Sequence, residues 1–495
     1  MARKLHYIQF TKSPLNLGGN ELAEISRKLK KESFLEKYFE LAKNGTNVKT
    51  EVIAGLTTFV TMAYVLLVIP NILKVAGINS QGLIGDAAAG LSMTNDPVIA
   101  SIFAATCLIS AYGTLSMALY AKLPFATAPG LGLTAFFAYS VCLTMGYTWQ
   151  QGIAAVFVSG CIFILITVTS IREKIIDALP QNIKTAISSG VGLFIALIGL
   201  KSGGIVVSNP ATLVGFGNFN DPSVALTLIG LILMVVLIAR NVKGAMLIAI
   251  VLTTMIGIPM GITNIEGIQI FSMPPSIAPT FMKWDFHGLL TRGEGGVIGA
   301  ITSIAMVVLT ISFVDLFDNI GTLIGTAQKA NMIEEDGSIR NLNKALLSDS
   351  LATTLSSFLG TTTTSTYVEY NAGIAEGGRT GLTSLVTGVL FIGALFFAGL
   401  IGIVPTQATA PALIVVGVLM LESIKNVDFS DFTEAVPAFL TIALMPFSFS
   451  IANGVAAGLI FYPIMKIVTK RTEEVHPIIY VLAILFIVRF VMLPN

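Results

Sequence analysis

Apolar residues in this chain gather into runs about as long as a membrane crossing, separated by short polar stretches. A hydrocarbon core takes about 20 apolar residues per helical crossing. The runs lie at roughly 50–72, 97–119, 125–145, 150–171, 184–201, 223–240 and 244–263. A second set lies at roughly 297–327, 344–360, 363–376, 382–404, 407–424, 432–447 and 448–468. The pattern predicts an all-α polytopic membrane protein with fourteen transmembrane segments in two sets of seven. The proline-rich loop 264–296 separates the sets, and it falls on the extracellular side. One more apolar stretch, 476–493, carries Arg489 and reads as an interfacial helix or a further span.

Residues 1–49 are polar and basic and read as a cytosolic tail. Within it, Leu22, Ile25, Leu29, Phe34, Leu35 and Tyr38 have helical spacing. That spacing predicts an amphipathic helix, lying on the inner leaflet or packed on the protein. With the tail inside, the inner loops carry most of the basic residues, among them Lys122, Arg172, Lys174, Arg240, Lys243, Arg340, Arg379 and Lys466. The outer loops carry only Lys74, Lys201, Lys283 and Arg292. This bias predicts a multi-pass protein of the plasma or inner membrane with a cytoplasmic N-terminus. The two sets also echo one another, as in "ARNVKGAMLIAIVLTTMIGI" and "SIANGVAAGLIFYPIMKIV". An odd number of crossings per set makes the halves inverted repeats, an arrangement that goes with alternating access and a ligand near the midplane.

Composition agrees with embedding in a lipid bilayer. Hydrophobic residues make up 54% of the chain and charged residues 12%, against about 25% charged in soluble domains. A net charge of +1 argues against a nucleic-acid partner. Cys107, Cys142 and Cys161 all lie in apolar runs and read as small buried hydrophobes. His6, His287 and His476 lie outside the spans and form no His-x-x-x-His pair, so no metal site, cofactor or enzymatic activity is expected.

Three carboxylates stand out inside apolar runs: Asp315, Asp318 and Glu369. A charge at the bilayer centre costs at least ~2.5 kcal/mol, so such groups face a protein interior or a wet cavity. In "LTISFVDLFDNIGTLIGTA", Asp315 and Asp318 are three apart and share one helix face with Asn319. Asp318 reads equally as a structural acid bonded to a neighbouring helix. Glu369 ends the run "TTTTSTYVEYN", whose β-branched threonines, Thr366 among them, suit an extended backbone. The corresponding segment of the first half, with Pro129, Gly130 and Gly132 ahead of Thr134 and Phe136, is interrupted as well. One interrupted segment per half is the pattern of discontinuous helices that present backbone groups to a substrate.

At these residues the chain resembles the AzgA-like branch of the nucleobase–cation symporters, purine permeases for hypoxanthine, guanine or adenine. The motifs are "EVIAGLTTFVTMAYVLLVIPNIL", "APGLGLTAFFAY", "FVDLFDNIGTLIGTA" and "GTTTTSTYVEYNAGIAEGGRTGL", and the likeness covers about residues 34–490. It implies the fourteen-segment uracil-permease fold, with short strands in segments 3 and 10 meeting at the substrate. It further implies a core domain of residues 50–171 and 297–404 and a gate domain of 184–263 and 407–468. The binding acids of segments 8 and 10 fall on Asp315 and Glu369, and a second acid of segment 8 on Asp318. Thr134 stands where the family has asparagine, and Asn319 where threonine is commoner.

The chemistry suits a purine, whose ring offers adjacent N–H donors and ring-nitrogen and carbonyl acceptors. Asp315 and Glu369 can grip it from two sides, with backbone groups near Thr366 and Tyr367 completing the set. Phe136, Tyr367 and Tyr370 can stack on the ring or simply pack the core. Two acids in a low-dielectric cavity have raised proton affinity, so Asp315, Asp318 or Glu369 can carry a coupling proton. No other cation cage stands out, which favours a proton over sodium. The expected function is proton-coupled purine uptake. The alternative is a carrier of the same fold for another nucleobase or a small anion. Relatives of this fold are often dimeric, which makes a homodimer the candidate assembly.

Overall fold

The computed structural model describes residues 34–169, 178–265, 269–291, 305, 307, 308, 311, 312, 315, 319 and 340–492. Residues 1–33 of the tail, Asp318 and most of segment 297–327 lie outside the described residues, as does the Arg489 side chain.

Among the described residues, eight helices are long and apolar enough to cross a membrane. They are Val48–Leu73, Pro97–Ala121, Trp149–Val168, Gln181–Ser202, Pro222–Ala239, Gly381–Gly402, Thr406–Asn426 and Ile451–Val468. Shorter apolar helices run over Leu131–Thr144, Ala245–Gly257, Phe432–Phe447 and Pro477–Val488. Local chemistry sets where several begin. Asp96 accepts the N–H groups of Val98 and Ile99, with Pro97 occupying the first turn, where its missing donor costs nothing. Thr148 and Gln151 form a reciprocal capping box at the start of Trp149–Val168. The first span is interrupted at Ala63–Tyr64, between Val48–Met62 and Val65–Leu73, and Pro70 leaves a missing donor in the second piece.

The densest helix pairings fall in two groups, each drawing on both halves of the chain. In one, Gly381–Ala394 packs on Val48–Met62 and Pro97–Ser116, and Leu342–Leu359 packs on Trp149–Val168. In the other, Gln181–Ser202 packs on Thr406–Leu421 and Phe432–Phe447, which in turn meets Ile451–Val468.

Two short strands bring the halves together. β1 (Thr127–Pro129) pairs antiparallel with β4 (Thr364–Thr366), with Thr127 opposite Thr366 and Pro129 opposite Thr364. The ladder continues through Gly130 N–H to Thr363 O at 3.0 Å and Tyr367 N–H to Ala126 O at 3.3 Å. Gly130 permits this approach, because a Cβ there would lie 2.7 Å from Ser365 Oγ. A second ladder was not anticipated from sequence: β2 (Val206–Asn209) and β3 (Leu213–Phe216) form an exposed hairpin between Gln181–Ser202 and Pro222–Ala239. Asn209 Oδ1 accepts the Ala211 and Thr212 N–H groups in its turn.

One sequence-based statement needs correction. Lys466 is not a loop cation: it is fully buried in the last turn of Ile451–Val468. Glu434 and Glu474 each approach its ammonium at 2.7 Å, which offsets the cost of burying it.

Candidate functional site

The paired strands lie within a set of hydrogen bonds that ties three elements together. Asn319 is fully buried, and its amide nitrogen donates to Asp315 Oδ1 at 2.7 Å and to Asp349 Oδ2 at 2.8 Å. Its oxygen accepts the Thr366 N–H at 2.7 Å and the Thr366 hydroxyl at 3.1 Å. One primary amide thus uses both donors and both lone pairs, the most that this side chain can make. The outcome is a rigid link from Asp315 to the strand that leads into Glu369. Beside the strand pair, the hydroxyls of Thr134 and Thr362 are 2.7 Å apart. The Tyr367 phenol donates to Pro129 O at 2.5 Å.

Glu369 lies on the single turn Val368–Tyr370, directly after the extended threonines and before the helix Asn371–Ala375. Tyr64, at the interruption of the first span, donates its phenol to Glu369 Oε1 at 2.5 Å. Asp315, Thr134, Thr366 and Tyr367 are all buried, whereas Glu369 is half-buried. Phe136 is fully buried, and Tyr370 packs on Phe125 with ring centroids 5.0 Å apart. Of the named residues, Asp315 and Thr366 share the Asn319 amide, Thr134 bonds to Thr362 and Tyr367 to Pro129, and Glu369 bonds to Tyr64. Phe136 and Tyr367 both belong to the main apolar core, and Asp318 lies outside the described residues.

Sequence reasoning missed Asp349, Tyr64 and Glu51. Asp349 is buried in Leu342–Leu359, and its signal was available as an acid inside "KALLSDSLATTLSSFLG". Tyr64 gave no signal, since tyrosine is ordinary in a membrane core. Glu51, in the first turn of Val48–Met62, is completely buried.

A cavity of about 560 Å³ lies apart from these acids, lined by residues that include Asn71, Lys74, Tyr139, Lys201 and Thr406. Lys74 directly follows the first span. Burial lowers its ammonium pKa to about 8, and the group donates to Leu91 O at 2.8 Å and Thr406 Oγ1 at 3.3 Å.

Apolar spans, a short strand pair joining both halves, and buried acids bonded to it define a multi-pass membrane carrier. The chain belongs to the Permease family, whose family model (Xan_ur_permease) matches residues 49–457. It is 48% identical to a putative permease of Methanocaldococcus jannaschii, over 93% of this chain and 99% of that protein. It is 41% identical to the adenine permease AdeP of Escherichia coli, over 93% of this chain and 96% of that one. It is also 41% identical to the guanine/hypoxanthine permease PbuG of Bacillus subtilis, over 93% of this chain and all (100%) of that one. Among solved structures, the transmembrane domain of the cyanobacterial bicarbonate transporter BicA superposes with a TM-score of 0.56 at 15% identity. That match covers 83% of this chain and 97% of the other, and shows a shared membrane-transporter fold. The protein is a transporter and not an enzyme.

Proposed function

We propose that this permease takes up purine nucleobases, with guanine, hypoxanthine and adenine as candidates, across the cytoplasmic membrane together with protons. The observation that carries the reading is the Asn319 amide, which links Asp315 to the strand of Glu369. It sets two acids of the second half, from segments 8 and 10, about a strand pair that joins both halves, a layout suited to the N–H edges of a purine. Two relatives, an adenine permease and a guanine/hypoxanthine permease, support the same choice.

The substrate-binding residues in this reading are Asp315, Glu369, Thr134, Thr366 and Tyr367, with Phe136 behind them. Asp315, Asp318 and Glu369 are the candidates for the coupling proton. The architecture is fourteen segments in two inverted repeats, with a core of 50–171 and 297–404 and a gate of 184–263 and 407–468. The two groups of helix pairings support that division. Contacts across it include Ser140 Oγ to Phe449 O at 2.7 Å and the ion pair of Lys243 with Glu376. Alternating access would break and remake such contacts while the strand pair stays intact.

The test is uptake of radiolabelled hypoxanthine, guanine, adenine, xanthine and uracil by cells expressing the chain. An inward proton gradient should stimulate purine uptake, a protonophore should block it, and sodium should be dispensable. Full activity in sodium buffer with none in choline buffer at the same pH would overturn proton coupling. Uptake of uracil alone would overturn the purine assignment.

A further inference from the structure

Tyr64 occupies the two-residue interruption between Val48–Met62 and Val65–Leu73 and is completely buried. The five residues after it, Val65 to Ile69, are apolar and buried. A phenol in such surroundings must find a partner, because an unsatisfied buried hydroxyl is costly. Its partner is Glu369 Oε1, at 2.5 Å. One turn earlier Thr61 Oγ1 lies 3.3 Å from the Glu369 main-chain carbonyl, while Thr57 O and Thr58 O accept its hydroxyl at 2.9 Å. The interruption of the first span therefore holds the side chain of the acid through Tyr64.

We propose that Tyr64 is a positioning residue for purine recognition, fixing the Glu369 carboxylate in the orientation that receives the N–H edge of the base. The proposal rests on the reading of Glu369 as a binding acid. A glutamate has three side-chain torsions, and ordering them costs free energy when a ligand must do it. An O–H donor to a carboxylate is a strong, short hydrogen bond. Each carboxylate oxygen offers two acceptor positions, so Oε1 can hold the phenol and still face a ligand donor. The interruption matters geometrically, since it places a side chain of the first span beside a turn that begins a distant one.

The experiment compares uptake kinetics of Tyr64→Phe, Tyr64→Leu and Glu369→Gln at matched membrane expression. Phenylalanine keeps the ring and removes only the donor. Tyr64→Phe should raise KM for the preferred purine roughly ten-fold or more, in line with hydrogen bonds to charged groups, with Vmax within about two-fold. Tyr64→Leu should show the same KM as Tyr64→Phe if the hydroxyl is what matters. A wild-type KM in Tyr64→Phe, beside a dead Glu369→Gln, would overturn the proposal and leave the ring as packing. Normal uptake by Glu369→Gln would instead remove the binding role of Glu369, and the proposal with it.

Discussion

The Thr383 hydroxyl donates to Glu51 Oε2 at 2.6 Å, joining the first span to the start of Gly381–Ala394. Glu51 also accepts the N–H groups of Arg379 at 2.8 Å, Thr380 at 3.4 Å and Thr383 at 3.1 Å. The string "GGRTGL" is thus held by one buried carboxylate from "EVIAGL". Glu51→Ala leaves those donors unpaired inside the protein, at a cost of about 2 kcal/mol or more. Glu51→Gln keeps one acceptor oxygen and should fall between. Melting of the purified protein in detergent measures this, and equal stability of all three forms would show that water replaces the lost acceptor.

Asp315→Asn and Glu369→Gln should each abolish or greatly weaken purine uptake while the protein still reaches the membrane. Both substitutions nearly preserve shape and remove the charge and one acceptor. Near-normal uptake by either variant at normal expression would sink its assignment.

Asn319→Ala should weaken uptake and lower the melting temperature together. The substitution removes the acceptor of the Thr366 N–H and the donor shared by Asp315 and Asp349. Truncating one member of a buried network strands the others, at roughly 1–3 kcal/mol per unsatisfied group. A variant with wild-type stability and uptake would show that the link is dispensable.

Thr134→Asn should change the ranking among purines more than it changes expression. Thr134, on the helix that follows β1, meets Thr362, which precedes β4, with their hydroxyls 2.7 Å apart. Asparagine adds a second hydrogen-bonding group, and a site built to pair a ring substituent rejects an analogue lacking it by orders of magnitude. An unchanged ranking across hypoxanthine, guanine, adenine and xanthine would make position 134 a packing position.

Lys74 predicts a pH dependence of stability. Its folded pKa of about 8 lies below the ordinary 10.5 because burial penalises the charged form. Between those values the unfolded chain binds more protons, so this group makes stability rise with pH. Below about 8 the full burial penalty is present, and above 10.5 it is gone. The melting temperature of wild type relative to Lys74→Met should therefore climb across that window. A difference that stays flat would contradict the burial of a charged ammonium.

Spans and acids were legible for a simple reason. Hydrocarbon demands long apolar runs, and a charge within one is costly enough to be conspicuous. The run at 432–447 coincides with the helix Phe432–Phe447. Asp315 and Glu369 stood out by the same logic. Asp349 and Lys466 did not, because each lies where polar neighbours or a nearby loop conceal a buried charge.

The sequence by itself determined that this chain is a multi-pass membrane protein with acids in its apolar interior, since periodicity and transfer cost act on residues close together. Only the tertiary structure decided who bonds to whom. Thr127 meets Thr366, Asn319 bridges Asp315 to Thr366, Tyr64 holds Glu369, and Glu51 pins Arg379 to Thr383. These partners lie far apart along the chain, and a donor carries no local mark of its acceptor. Packing selects each pair, because a polar group buried away from water must find a partner wherever the fold brings one.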